Sequence, residues 1–303
     1  MKIKVSAPGK LLLFGDHAVV YGHPCLVTAV DKRLYVKAEI INNNEDQIIT
    51  PQVKESRFVL ESIAQFKKQF KIKKNVRITT QGDFAHNVGL GSSSAVTVAT
   101  FKALSSLFQI PVTLREIFDL SYNVNLSIQG LGSGFDIAAA TFGRTLFFVT
   151  GGKVIKPLRI QPLPLVVGYS GIKSDTPCYV RKMAESFENR KEKMMDIFKK
   201  ISILVNLAKK NLLETNFQKT GGLMTENHRL LQKLGVSIPK LDQMVESALK
   251  AGAWGAKLSG AGGGDCMIAL VSENKRKKVE EAIRKVGGEI ITVQNNAEGV
   301  RLE

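Results

Sequence analysis

The stretch "VGLGSSSAVTVATFKAL" (Val88 to Leu104) sets two glycines and three consecutive serines directly before a segment with apolar residues every three or four positions. Ala95, Val98, Ala99, Ala103 and Leu104 mark a helix with one buried face. Gly89, Gly91 and the serines are therefore read as its N-terminal cap and the loop before it. A helix start offers unpaired N–H groups and the positive end of the dipole, and glycine lets the backbone close on a bulky anion without a Cβ in the way. Phosphate is the first candidate ligand, and a serine cap that binds nothing is the plain structural alternative. No lysine follows the glycines in a G-x-x-x-x-G-K-[ST] pattern, so a nucleotide here is held by a scheme other than that of the P-loop NTPases.

A chain of 303 residues with 44% hydrophobic content is long and apolar enough for one large domain or two of ordinary size. Cys25, Cys178 and Cys266 are an odd, widely spaced set, which suggests neither a disulfide framework nor a zinc site. The four histidines form no metal-binding cluster. Met1 leads into the strand-like "IKVSA" rather than a signal peptide, and no apolar run reaches membrane-spanning length, so a cytoplasmic setting without membrane is expected. The formal charge of +16 would suit nucleic acid. Its lysines, however, concentrate in three runs (67–74, 190–200 and 274–285) at helix spacing or helix ends, which are usually solvated faces, and base-stacking aromatics are scarce among them. Small anionic substrates are favoured over nucleic acid as partners.

Periodicity predicts strands at Ile3 to Ser6, Leu11 to Phe14, Arg33 to Ile41 and Val76 to Thr80, with a helix from Val53 to Phe70. After the glycine–serine loop come a helix to about Phe108 and another from Thr113 to about Ile128, which Thr113 and Glu116 start as a capping box. A short small-residue helix follows the turn that begins at Gly130, then a strand from Thr145 to Val149. Beyond the strand "LVVGYS" the chain turns helical, at Thr176 to Phe187, Lys191 to Leu213 and Pro239 to Ala251. The last fifth alternates: a strand near Trp254 to Leu258, the strand "CMIAL", a helix from Asn274 to Val286 and two short strands. The class is α+β, with two units meeting near 155–175 and a split βαβ arrangement in the second.

Three further stretches carry chemistry in their composition. "SAPGKLLLFGDHAVVYGHP" (Ser6 to Pro24) puts Lys10, Asp16 and His17 on short turns between apolar strands, where charged groups tend to face a cleft. "GSGFDIAAA" opens a helix with Asp136, which reads equally as a capping aspartate or as a reactive one. "KLSGAGGGDCMIAL" (Lys257 to Leu270) crowds four glycines into five positions after Ser259, the mark of close backbone approach to a ligand or another loop.

"PGKLLLFGDHAVVYG", "VGLGSSSA" and "KLSGAGGG" resemble, in order and separation, the three signature motifs of the GHMP small-molecule kinases, and the "HAVVYG" wording is similar to that of the mevalonate kinases, the compact archaeal type above all. The resemblance implies a ribosomal S5 domain 2-like unit over 1–160 and a ferredoxin-like unit over 161–303. It implies that Val88, Gly89, Leu90, Gly91, Ser92, Ser93, Ser94 and Ala95 cradle the ATP phosphates, with Ser93 reaching Mg2+. Asp136 matches the base that orients the attacking alcohol and Lys10 its electrostatic partner. Asp16 and His17 would line the mevalonate pocket with them, and Ser259, Gly260, Gly262 and Gly263 would buttress the serine loop. Two departures stand out: Asn125 occupies the position of a metal-holding glutamate, and "GSGFD" is closer to the wording of phosphomevalonate kinases. That makes phosphomevalonate the alternative acceptor, for which Lys173 and Arg181 would supply cations. A non-catalytic homologue binding RNA or protein is the alternative of another class, and a homodimer fits either kinase reading.

Overall fold

The apolar run Leu11–Phe14 ends strand β1 (Lys2–Phe14), with Leu11 and Leu13 packing into one hydrophobic core and Leu12 into another. Successive side chains of a strand point to opposite faces, and here both faces are covered, so the segment reads as continuously apolar instead of alternating. The computed structural model describes residues 2–52, 56–84 and 88–303. The two strands expected at Ile3–Ser6 and Leu11–Phe14 are one, with a register shift between Pro8 and Gly9 where it pairs with β2 (Pro24–Ile41). A bulge of this kind accommodates proline inside a ladder.

Strand β2 is the spine of a seven-stranded sheet. With β3 (Gln47–Ile49), β4 (Asn75–Gly82) and the C-terminal β11 (Arg301–Leu302), the order is β11-β1-β2-β4-β3, while β5 (Thr145–Val149) pairs with the first part of β2 and with β6 (Val154–Leu158). Helices α1 (Arg57–Phe70), α2 (Ser92–Leu107), α3 (Leu114–Gln129) and α4 (Phe135–Phe142) pack on this sheet and on one another. Phe66, Phe101, Phe118 and Phe148 fill the space between. The capping box is formed: Thr113 accepts from Glu116 N while Glu116 accepts from Thr113 N. Ser56 caps α1, so the helix expected from Val53 starts at Arg57, and residues 53–55 lie outside those described.

The second sheet has the order β10-β7-β9-β8, from β7 (Leu165–Tyr169), β8 (Gly255–Ser259), β9 (Cys266–Leu270) and β10 (Glu289–Ile290). Its helices are α5 (Thr176–Ser186), α6 (Lys191–Leu213), α7 (Phe217–Lys233), α8 (Pro239–Lys250) and α9 (Arg276–Lys285). The fold is therefore α+β. Helix α7 has no counterpart in the sequence reading, because Gly221 and Gly222 count against a helix interior. Gly221 is there for proximity: a Cβ on it would lie 2.6 Å from the Trp254 carbonyl carbon, and one on Gly255 only 1.7 Å from the Gly221 oxygen. The tail returns from this unit to the first sheet, through β11 and the bridges Val30–Asn295 and Gly143–Glu298.

His228 ties α7 to its neighbours. Leu258 N donates to its Nδ1 at 3.3 Å, so the proton sits on Nε2, which donates to Asp242 at 3.0 Å. Burial holds the His228, His17 and His23 imidazoles below their ordinary value of 6.5. The folded state thus binds fewer protons than the unfolded chain once the pH drops below 6.5, and stability falls with it. Thermal melts from pH 7.5 to 5.5 are expected to show a falling midpoint, with a shallower slope in His228→Gln; an unchanged slope in that variant would contradict the assignment.

Candidate active site

Helix α2 begins with Gly91 as its N-cap, in the left-handed region at φ 80°, a residue with no side chain to cap the first turn. The serines are the first helical residues instead of the cap expected from sequence. Gly91 is required here twice over, since a Cβ would also come within 3.1 Å of the Lys10 side chain. The first turn of this 16-residue helix lies at the positive end of its dipole, a place that suits an anion. The loop before the helix is stitched to β1: Lys10 N donates to Leu90 O at 2.9 Å, and Lys10 Nζ to Gly89 O at 2.8 Å.

Helix α4 starts the same way, on left-handed Gly134 at φ 88° without a side-chain cap, and Asp136 lies in its first turn. Ser94 Oγ donates to Asp136 Oδ2 at 2.5 Å and Ile137 N to Oδ1 at 3.0 Å. The starts of two helices are thus joined through one serine and one carboxylate. Lys10 and Asp136 line one cleft of about 770 Å3 together with His17, Gly89, Gly91, Ser92, Ser93, Asn125 and Gly260. Asn125 is buried, and its Oδ1 has no hydrogen-bond partner. Such an orphaned oxygen, in a cleft that Ser93 also lines, suits a hard cation that carries most of its ligands on water and phosphate. Among the described residues no three His, Cys, Asp or Glu side chains gather as a metal cluster.

Several expected residues stand elsewhere. Asp16 is wholly buried and does not line the cleft: its Oδ2 pairs with Lys257 Nζ at 2.8 Å, with both side chains at 0% exposure, and its Oδ1 accepts from Gly260 N at 2.8 Å. Lys257, which the sequence reading did not single out, also donates to the carbonyl of Leu258. Burial lowers its ammonium pKa and the Asp16 carboxylate works against that. Ser259 Oγ bonds both the N–H and the carbonyl of Leu12, while His17 Nε2 meets Ala261 O at 2.8 Å. Leu90 and Ala95 turn into the cores, and Ser94 is 2% exposed and reserved for Asp136. Val88 does not line the cleft, although its carbonyl accepts from Cys266 Sγ at 3.0 Å.

The glycine loop explains its own composition. A Cβ on Gly262 would lie 2.0 Å from Val236 O and one on Gly263 1.9 Å from the Tyr179 ring. The contact with the serine loop comes one step later, where Asp265 occupies the space a Gly89 Cβ would need, at 2.5 Å. Asp265 itself is left-handed at φ 56°, accepts from Ser174 N at 3.0 Å and has its carboxyl pKa raised by burial. It thereby holds the Lys173–Ser174 segment at the mouth of the cleft. Lys173 lines the cleft; Arg181 is exposed on α5 and does not.

Two helix starts joined through one serine and one carboxylate, in a cleft that the glycine loop of the second sheet also lines at Gly260, have a geometry suited to phosphoryl transfer. The model described as "GHMP kinases N terminal domain" matches residues 57–144 and "GHMP kinases C terminal" matches 208–289. The chain belongs to the GHMP kinase family. Its relatives include proteins named mevalonate kinase from Thermococcus sibiricus, 36% identical over 100% of this chain and 99% of the relative, and from Pyrococcus furiosus, 34% identical over the same shares. Among solved structures, L. major mevalonate kinase in complex with R-mevalonate superposes with a TM-score of 0.85 at 25% identity, covering 97% of this chain and 96% of the other. The Methanococcus jannaschii mevalonate kinase gives 0.81 at 29% identity, covering 100% and 98%.

Removing one partner of the Asp16–Lys257 pair leaves a buried charge uncompensated, a cost of about 3–5 kcal/mol. Urea unfolding of Asp16→Asn and Lys257→Met is expected to show losses of that order. The double variant should lose less than the sum, and strict additivity would show that the two side chains do not act as a pair.

Proposed function

We propose that this chain catalyses transfer of the ATP γ-phosphoryl group to the 5-hydroxyl of mevalonate, giving 5-phosphomevalonate and ADP, a step of isoprenoid synthesis. The observation that carries the reading is Asp136, aimed by Ser94 into a cleft that also holds Lys10 and the uncapped start of α2. The names of the archaeal relatives and of the mevalonate-bound structural neighbour support the choice of acceptor.

In this reading the acceptor hydroxyl oxygen attacks the γ-phosphorus, the bond from that phosphorus to the β–γ bridging oxygen breaks, and the hydroxyl proton passes to the Asp136 carboxylate. Lys10 lowers the cost of negative charge on the attacking oxygen, and amides of Gly89 to Ser94 bind the phosphate oxygens. Gly89 and Gly91 let that backbone approach closely, and His17 closes the acceptor side of the cleft. Ser93 and Asn125 would hold Mg2+, which supplies charge neutralisation on the phosphates when bound. The remaining demand is positioning, which rigid elements meet.

The reading includes two units, 1–160 and 161–303, with the tail strapped back across the first, and a reducing cytoplasm. Free Cys25, Cys178 and Cys266 support that compartment. No helix among the described residues is long and apolar enough to cross a membrane.

ADP release with ATP and magnesium is expected with mevalonate and absent with 5-phosphomevalonate or no acceptor. Turnover with phosphomevalonate alone would overturn the acceptor and make Lys173 the side chain that meets its phosphate. Asp136→Asn is expected to lower kcat by about 10²–10⁴-fold, the worth of a general base, with ATP affinity by calorimetry within about threefold of the parent. A kcat that survived would remove Asp136 from the role.

A further inference from the structure

A second cavity, of about 370 Å3, shares no lining residue with the cleft. It lies where the start of β5, the end of β6, the end of α6 and the returning tail converge, and its polar wall is made of Arg144, Arg159, Gln161, Thr215 and Asn296. No carboxylate lines it. Both arginines are exposed, and neither guanidinium is among the ion pairs or hydrogen bonds of the described residues, while most arginines elsewhere in the chain are paired with Glu, Asp or a carbonyl. Asn296 spends its Oδ1 on Thr145 N, which leaves the amide NH2 as its other end. The carbonyls closing α6 are taken by Glu214, Thr215 and Asn216 N–H groups, so the negative end of that helix is capped. The wall is therefore rich in N–H and O–H donors and holds no acid.

Backbone conformation marks the same place. Seven non-glycine residues have positive φ among those described: His17, Lys71, Gln109, Arg144, Thr215, Asp265 and Asn296. His17 and Asp265 line the cleft, and Arg144, Thr215 and Asn296 line this cavity. For a β-branched threonine at φ 57° the conformation is costly, and residues held so tend to gather at binding sites. Their backbones are held by Arg144 N to Ala297 O, Asn296 N to Thr28 Oγ1 and Thr215 N to Leu212 O, so the wall is shaped before any ligand arrives.

We propose that this cavity is a second binding site, for a phosphate-bearing small molecule held by the Arg144 and Arg159 guanidiniums. Two planar forks without carboxylate partners match the geometry of phosphate oxygens. The volume leaves room for a second phosphate or an organic portion beside the first.

The test is equilibrium dialysis of radiolabelled orthophosphate and pyrophosphate against the full chain, with its cleft saturated by a non-hydrolysable ATP analogue. About one equivalent of pyrophosphate is expected to remain bound. Arg159→Gln, at an exposed site with no bonded partner, is expected to weaken it at least tenfold, and Arg144→Gln/Arg159→Gln to abolish it. The control Lys73→Gln/Lys285→Gln, which removes the same charge elsewhere on the exposed surface, should retain it. Binding lost on filling the cleft, unchanged in Arg159→Gln, equally weakened in the control or undetectable at millimolar concentration would each overturn the proposal.

Discussion

The hydrogen bond from Ser94 to Asp136 joins the first turns of two helices that both begin on a left-handed glycine with no side-chain cap. Everything else in the cleft is arranged around that junction. A helix start that has only glycine at its N-cap gets no side-chain bond from that position to its first amides. Two such starts brought together at one cavity are a focused positive field with the Asp136 carboxylate at their junction, which suits a reaction that gathers negative charge. The serine does the joining because its short side chain, one turn into α2, reaches Asp136 without leaving the helix.

The junction is held from outside by strand β1. Its last residues face two cores at once, so the strand cannot shift without disturbing both. Lys10 pins the serine loop to it, and the wholly buried Asp16–Lys257 pair pins the glycine loop just beyond its end. An ion pair with no solvent exposure gains little net stability over apolar residues of the same shape, because desolvation offsets the attraction. What it contributes here is placement: Asp16 uses its second oxygen on Gly260 N, so the loop has one seat.

Much of this was legible in the sequence, and the failures have physical causes. The helix after the glycine–serine loop, though not its start at Ser92, the helix start near Asp136, the capping box at Thr113, and the strands flanking "SGAGGGD" followed from periodicity and glycine placement. Lys10 and Asp136 were singled out as charges in glycine turns, but locally each read as well as an exposed lysine or a helix cap, and only the resemblance to the GHMP kinases gave them roles. Asp16 was misplaced, since a turn residue gives no sign of a partner 241 positions away at Lys257 that buries it. Helix α7 was missed because Gly221 spends helix propensity on an approach to Trp254 and Gly255 that only the folded structure reveals. Likewise Ser94 was read only as part of the phosphate cradle, with Ser93 the serine singled out. Which of the three faces Asp136 depends on where α4 lies, and that is tertiary information.

The most direct measurement of the central claim is steady-state kinetics of Ser94→Ala with mevalonate and ATP, with Ser94→Thr beside it. Loss of a hydrogen bond to a charged group is worth about 1.5–3 kcal/mol. We therefore expect kcat to fall by about ten- to hundredfold, KM for ATP to stay within about threefold, and threonine to restore part of the loss. If Ser94→Ala kept the parent kcat, the junction of the two helix starts would not position Asp136, and the account built on it would fail.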